Sequence, residues 1–414
     1  MMGLVAAMVV LTSNQAKADI DRAEQLADQA VRANPSLAGI KAKRDALKHR
    51  LRRASSWHDP QLAIEYSNMP IDSWRPGDHP MSGLQLKLQQ TFLFPGKTAA
   101  RRQQAEGQLA EAQISLAEAT LQLRVAVKRA YYQLTLVRQL RKVTEQHVKL
   151  VEQFVSIVQA KYTVGAKGQQ DLLRLTLLLE KLKDDLEDFD RDDLALRAKI
   201  NAALDREPPL AIETPAQLAA LAAPREPRAL TRSLGDRPAV RLHRQRALTH
   251  AAMSRRAARA GYPDLTAWLG YRIRSRAGTD RGTDFISLGI ALPLPIFYAR
   301  RFGSEVQAQR LLASKAQHQR RALIAQIRAN VAAEVAAWRR AQRAAKRYRT
   351  VLMPLAHRAL DATLAGFQVG RVDFASLFQA ELELLAFERT IRRAEIRTHR
   401  ARVEIEAQLG RLPQ

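Results

Sequence analysis

The 414-residue chain carries 67 Lys and Arg against 41 Asp and Glu, a formal net charge of +26, and no cysteine. The missing thiol excludes cysteine catalysis, disulfides, Cys-based zinc sites and a thioether-linked lipid anchor, and 46% hydrophobic residues exclude a disordered chain. Aromatics are sparse at 6%, and long stretches of Ala, Leu, Gln, Arg and Glu point to long helices.

Met1 to Leu11 is a short apolar run followed by Ala16-Lys17-Ala18, an A-x-A pattern that resembles a secretory leader cleaved after Ala18. No stretch approaches the ~18 apolar residues of a transmembrane helix, a fact that leaves a β-barrel open because each of its strands signals weakly. From Asp19 to about Ser56 the period is helical, with Leu26, Ala30 and Ala33 in one row and Leu37, Ile40 and Leu47 after Pro35. Lys97 to Thr163 is proline-free and predicts on the order of 100 Å of helix at ~1.5 Å per residue. Helix resumes from about Gln170 to Leu204. A linker with Pro208, Pro209, Pro215, Pro224 and Pro227 follows, and helices are predicted from about Asp236 to Ala260, Arg300 to Ala365 and Asp373 to Leu409. Helices this long need partners along their length.

Two stretches change to a period of two. Leu62, Ile64 and Tyr66, then Leu84, Leu86 and Leu88 running on to Phe92 and Phe94, alternate with polar residues. Leu265 to Ile273 and Ile286 to Leu294 repeat the pattern, and the Gly-, Pro- and Asp-rich segments between them predict two β-hairpins. The chain is also an internal duplication. Tyr162-Thr163-Val164-Gly165 returns as Phe367-Gln368-Val369-Gly370, and Ile200-Asn201-Ala202-Ala203-Leu204 returns as Ile405-Glu406-Ala407-Gln408-Leu409. The expected organisation is a leader over 1–18, a first repeat over 19–208, a Pro-rich linker over 209–235 and a second repeat over 236–412. Four strands of about ten residues are long enough to cross a bilayer but too few to close, so several chains must pool them; three chains would give twelve. The competing expectation is a soluble α+β protein whose hairpins pack their apolar faces on the helices.

The order helix, hairpin, long helix, Tyr/Phe-x-Val-Gly break, helix, repeated twice, resembles the TolC-like outer-membrane efflux protein family. Tyr66-Ser67-Asn68-Met69-Pro70 and Gln90-Thr91-Phe92-Leu93-Phe94-Pro95-Gly96-Lys97 are similar to its heavy-metal branch, the cobalt-zinc-cadmium resistance type. The resemblance implies an α+β membrane protein and a homotrimer: a twelve-stranded barrel in outer-membrane lipid continued by a periplasmic helical barrel. Such a duct performs no chemistry and holds no cofactor. It works with a periplasmic adaptor and an inner-membrane RND-type transporter, here exporting heavy-metal cations, or else drugs or secreted protein. The resemblance places Tyr162, Val164, Gly165, Phe367, Val369 and Gly370 at periplasmic tips that contact the adaptor. It makes Asp171 an entrance gate; in the second repeat the matching positions are Ser376 and Gln379, and Asp373 is the nearby acid that could substitute.

Other chemistry is thinly supported. His243 and His250 share a helix face without an acidic or Cys partner, and Met69, His79 and Met81 could offer soft ligands to Cu(I) but read more simply as packing. No phosphate loop or Ser-His-Asp spacing is present. Arg255-Arg256, Arg339-Arg340 and Arg392-Arg393 raise a rival, a basic coiled coil that coats nucleic acid and has no strands, though no aromatics are interleaved with them.

Overall fold

The computed structural model describes residues 22–75, 78–163, 169–208 and 210–410. The leader and the tip residues Val164 and Gly165 lie outside the described residues. Helix α1 spans 22–33 and α2 Pro35–Ala54; Asn34 separates them, its Oδ1 accepting the Ser36 and Leu37 N–H groups at 3.0 and 3.3 Å. This is an N-cap placed where Pro35 has no N–H to give. The row that α1 buries is Ala23, Leu26, Ala27 and Ala30, whereas the expected Ala33 is exposed.

Strands β1 (Gln61–Ser67) and β2 (Gly83–Phe92) precede α3, a 67-residue helix over Lys97–Thr163, and α4 (Gln169–Ala203). The proline-bearing segment holds only the short α5 (Pro227–Leu230), and α6 runs Pro238–Ala260. Strands β3 (Leu265–Arg274) and β4 (Phe285–Ala291) lead to α7 (Ser304–Arg347), α8 (Met353–Gln368) and α9 (Phe374–Leu409). The single helix expected from about Arg300 to Ala365 is interrupted. A π-turn over Ala299–Gly303 opens it, and another over Tyr348–Leu352 divides it just before Pro354. Proline lacks the N–H for an ordinary helical bond, and the wider turn absorbs that loss without ending the rod.

The four strands form one antiparallel meander, β1-β2-β3-β4. The two hairpins are joined through β2 and β3, which pair over their full length from Gly83↔Arg274 to Phe92↔Leu265. β2 and β3 have the expected ten residues, but β1 and β4 have seven. Beyond Ala291, Pro293 and Pro295 remove ladder donors, and Leu292 and Leu294 fall outside the strand.

The chain divides into two compact units, and each draws on segments from both halves of the chain. One contains the sheet with residues 40–115 and 241–321. The other contains the helical core built by Leu116–Val240, the segment through Gly39 and the segment from Ala322. Within the helical unit Tyr131, Leu134, Ile200, Ile396 and Val403 gather around α1, while Phe154, Leu175, Phe367, Phe374 and Leu377 form a second cluster.

Candidate membrane face and helix-tip site

The strand register puts every apolar row on one face of the sheet. Leu62 opposes Leu88, Ile64 opposes Leu86, Leu88 opposes Leu269, and Leu269 opposes Leu288. In a water-soluble sheet this face would be the covered one. Here it is open: Ile64 is 67% exposed, Leu288 77% and Ile290 70%. Burying one such side chain is worth about 1.5–3 kcal/mol, so a row of them across four strands calls for an apolar environment. The soluble expectation, with apolar faces packed on the helices, is overturned by this exposure. The outer edges of β1 and β4 have no partner strand within the sheet.

The opposite face is polar and well bonded. Trp268 lies flat over Gly289, where an added Cβ would sit 2.4 Å from the indole, so only glycine fits there. Lys87 lies over the same ring at 4.8 Å. Thr91 and Thr266 are 3.0 Å apart, Arg272 donates to Gln85 at 2.9 Å, and Arg274 pairs with Asp280 at 2.6 Å. The corner into α3 is fixed by Asp264, which accepts the Phe94 N–H at 2.8 Å and pairs with Lys97 at 2.8 Å. Phe94 stacks on Tyr262 at 4.6 Å, so the corner after β2 and the corner before β3 hold one another.

At the second helix break, α8 ends at Gln368 and Gly370 turns the backbone left-handed at φ +74°. The Gly370, Arg371 and Val372 N–H groups return to carbonyls of Phe367 and Gly366, which closes the orphaned end of α8. Asp373 then caps α9, its Oδ1 accepting the Ser376 N–H at 2.9 Å. Tyr162 and Val369 are exposed, whereas Phe367 is fully buried and meets Phe374 edge-on at 6.3 Å. Phe367 therefore wedges α8 against α9 and offers no surface to a partner. Asp171 sits half-buried in the first turn of α4, where its charge favours the helix N-terminus.

Buried charges in the helical unit escaped the sequence reading. His147 on α3 contacts Glu381 through Nδ1 and Glu388 through Nε2, the latter at 3.4 Å. Burial opposes its charge, but the bonds to the two carboxylates outweigh burial and hold its pKa at about 9. Burial pushes the Glu381 carboxyl up. Lys128 is buried against Glu406 at 2.7 Å and also reaches Glu24. His399 is the opposite case: burial takes its pKa down to about 4, and its Nε2–H donates to the Ala219 carbonyl at 3.0 Å. The one advance signal was the position of these residues on otherwise apolar helix rows.

Two of the histidines considered as ligands, His79 and His250, are held by hydrogen bonds. His79 Nδ1 accepts the Met81 N–H at 3.2 Å and His250 bonds Gln309 at 2.8 Å, and among the described residues no group of three or more His, Asp or Glu is placed to hold a metal. No described helix is long and apolar enough to cross a membrane. The strandless coiled-coil rival is overturned by the four-stranded sheet.

An outward apolar sheet joined to very long helices is the architecture of outer-membrane efflux channels, which are conduits and not enzymes. The family model described as outer membrane efflux protein matches residues 26–204. A relative, the cobalt-zinc-cadmium resistance protein CzcC of Cupriavidus metallidurans, is 24% identical over 328 residues, covering 76% of this chain and 74% of its own. Among solved structures, CusC superposes with a TM-score of 0.78 at 15% identity, covering 94% of this chain and 92% of its own. The outer-membrane protein VceC of Vibrio cholerae gives 0.77 at 20% identity, covering 95% and 97%. The resemblance read from the helix-hairpin order stands: residues 26–204 match the outer membrane efflux protein model, and the fold is similar to that of the solved outer-membrane channels.

Proposed function

We propose that this chain is the exit duct of a tripartite efflux pump. Three copies pool their sheets into a twelve-stranded barrel in the outer membrane, and their helices continue it as a periplasmic tube. The carrying observation is the exposed apolar face of a sheet whose two edges lack partners. In lipid such edges must be closed, and pairing β1 of one copy with β4 of the next closes them. The Tyr162-Thr163-Val164-Gly165 break expected from the sequence and the turn at Gly370 form the periplasmic tips. Exposed Tyr162 and Val369 are offered there to a periplasmic adaptor, with Asp171 and Asp373 near the entrance. The repeats over 19–208 and 236–412, joined by the 209–235 linker, are the halves of the duplicated plan. Energy comes from an inner-membrane RND-type transporter. Heavy metal is the cargo class favoured by the relative named for cobalt, zinc and cadmium resistance; drugs or secreted protein are the alternative.

The test is fractionation and complementation. Trimers that survive heating in detergent, recovered from the outer membrane, together with restored metal tolerance in a strain lacking its own duct, are the expected result. A soluble monomer overturns the reading. Normal trimers without restored tolerance to any metal overturn the cargo assignment alone.

A further inference from the structure

The sheet unit contains a cavity of about 780 Å³ where the polar strand face meets the helices. Gln61, Gln89 and Thr91 line it, and these alternate along their strands with Leu62, Leu88 and Phe92 of the apolar face. The cavity therefore opens on the side turned away from lipid. Four arginines from three helices line it: Arg50 and Arg53 of α2, Arg101 of α3 and Arg256 of α6.

None of the four forms an ion pair among the described residues. Arg101 reaches His58 at 3.4 Å and Arg256 donates to the neutral Gln104 at 2.6 Å. Asp59 is the one carboxylate in the lining. Farther along the polar face Lys87 and Arg272 stand against Glu65, while Arg274 is paired with Asp280. Positive charge thus prevails along the surface that a solute would follow. Unpaired guanidinium groups around one cavity are a recognition element for oxyanions, since each presents a planar fork of donors. They also repel a bare divalent cation.

We propose that this cavity is an anion-binding vestibule, and that the duct passes anionic solutes in preference to free cations. Small oxyanions, or metal bound in a net-negative complex, fit it; hydrated divalent metal alone does not. This deepens the duct reading and rests on it.

The test uses the full-length channel in planar bilayers of zwitterionic phosphatidylcholine, so that no anionic headgroup can fill the site. Under a KCl gradient, chloride should be favoured over potassium by at least about threefold, more so at low salt where screening is weak. The quadruple variant R50Q/R53Q/R101Q/R256Q should bring the ratio close to one. A potassium preference, or an unchanged ratio in the variant, overturns the vestibule and leaves the duct standing. A channel that stays shut is read by fluorescence instead, with Trp57 of the cavity lining as the lone tryptophan after W74F, W268F and W338F. Iodide should quench Trp57 several-fold more strongly than caesium, and the four substitutions should abolish that difference. Equal quenching by the two ions overturns the proposal. Absence of both conductance and outer-membrane trimers sinks the duct reading, a result distinct from a conducting channel with the wrong selectivity.

Discussion

Gly370 ends α8 with a backbone angle that a side chain resists, and Asp373 begins α9 three residues later. Gly370→Ala should destabilise the break by about 1 kcal/mol through left-handed strain, and Asp373→Ala by about 1 kcal/mol through loss of the cap. Asp373→Asn, which keeps an accepting oxygen, should cost much less. Chemical denaturation monitored by circular dichroism checks the order. If Asp373 also gates the duct, D373N will alter conductance while leaving stability near wild type. Both features were legible in the sequence, because glycine and aspartate carry their backbone preferences locally. The burial of Phe367 was not, since it depends on Phe374 and Leu377 folding back from the next helix.

Two buried histidines set opposite limits on stability with pH. His147 has a raised pKa of about 9, so its contribution is complete below its ordinary 6.5 and is lost as pH climbs toward 9. His399 has a lowered pKa of about 4, so the unfolded chain takes up a proton that the folded one refuses once pH drops below 6.5. Melting temperatures should therefore peak near pH 6.5 and fall on both sides. His399→Gln should flatten the acid limb. His147→Gln should remove the alkaline one, while costing about 3–5 kcal/mol because Glu381 and Glu388 lose their cation. A melting temperature that keeps rising from pH 6.5 to 9 would contradict the His147 assignment.

At the scale of elements, the strands test the membrane reading most directly. Leu288 and Ser287 are neighbours on β4 that point to opposite faces. Leu288→Arg should cost about 2–4 kcal/mol if that face meets lipid at mid-depth, seen as fewer heat-resistant trimers in the outer membrane. Ser287→Arg should be tolerated. Equal trimer yields from the two variants would remove the lipid face. The period-two alternation made all four strands readable, because side-chain direction in a strand follows from chain geometry alone. The shortness of β1 and β4 and the π-turn before Pro354 were harder to read. Each depends on how the neighbouring backbone absorbs a missing N–H, which residue spacing does not encode.

For the whole molecule, the +26 charge is where composition misled most easily. On a rod it suggests nucleic acid, yet part of it lines a cavity beside the polar sheet face, and part neutralises buried carboxylates as Lys128 does for Glu406. Arg256 stands out in the sequence within a basic pair, but no local pattern links it to Arg50, Arg53 and Arg101. A cavity lined from three helices is a property of packing, not of any one segment. The two hairpins and the helix break at Gly370 were local patterns and could be read in advance.

The sheet also constrains the order of events during synthesis. Its central ladder joins residues 83–92 to 265–274, and each compact unit takes segments from both halves of the chain. An N-terminal hairpin that has emerged must therefore wait for Arg274, about two-thirds of the way along the 414-residue chain, before its longest pairing can form. Closing so long a loop is slow, and meanwhile an apolar strand face is exposed in water. Factors that shield β1 and β2 until β3 has been made should therefore raise the yield of folded protein. A chain cut after the first repeat would present that same surface with nothing to pair it, and would aggregate rather than fold as half a channel.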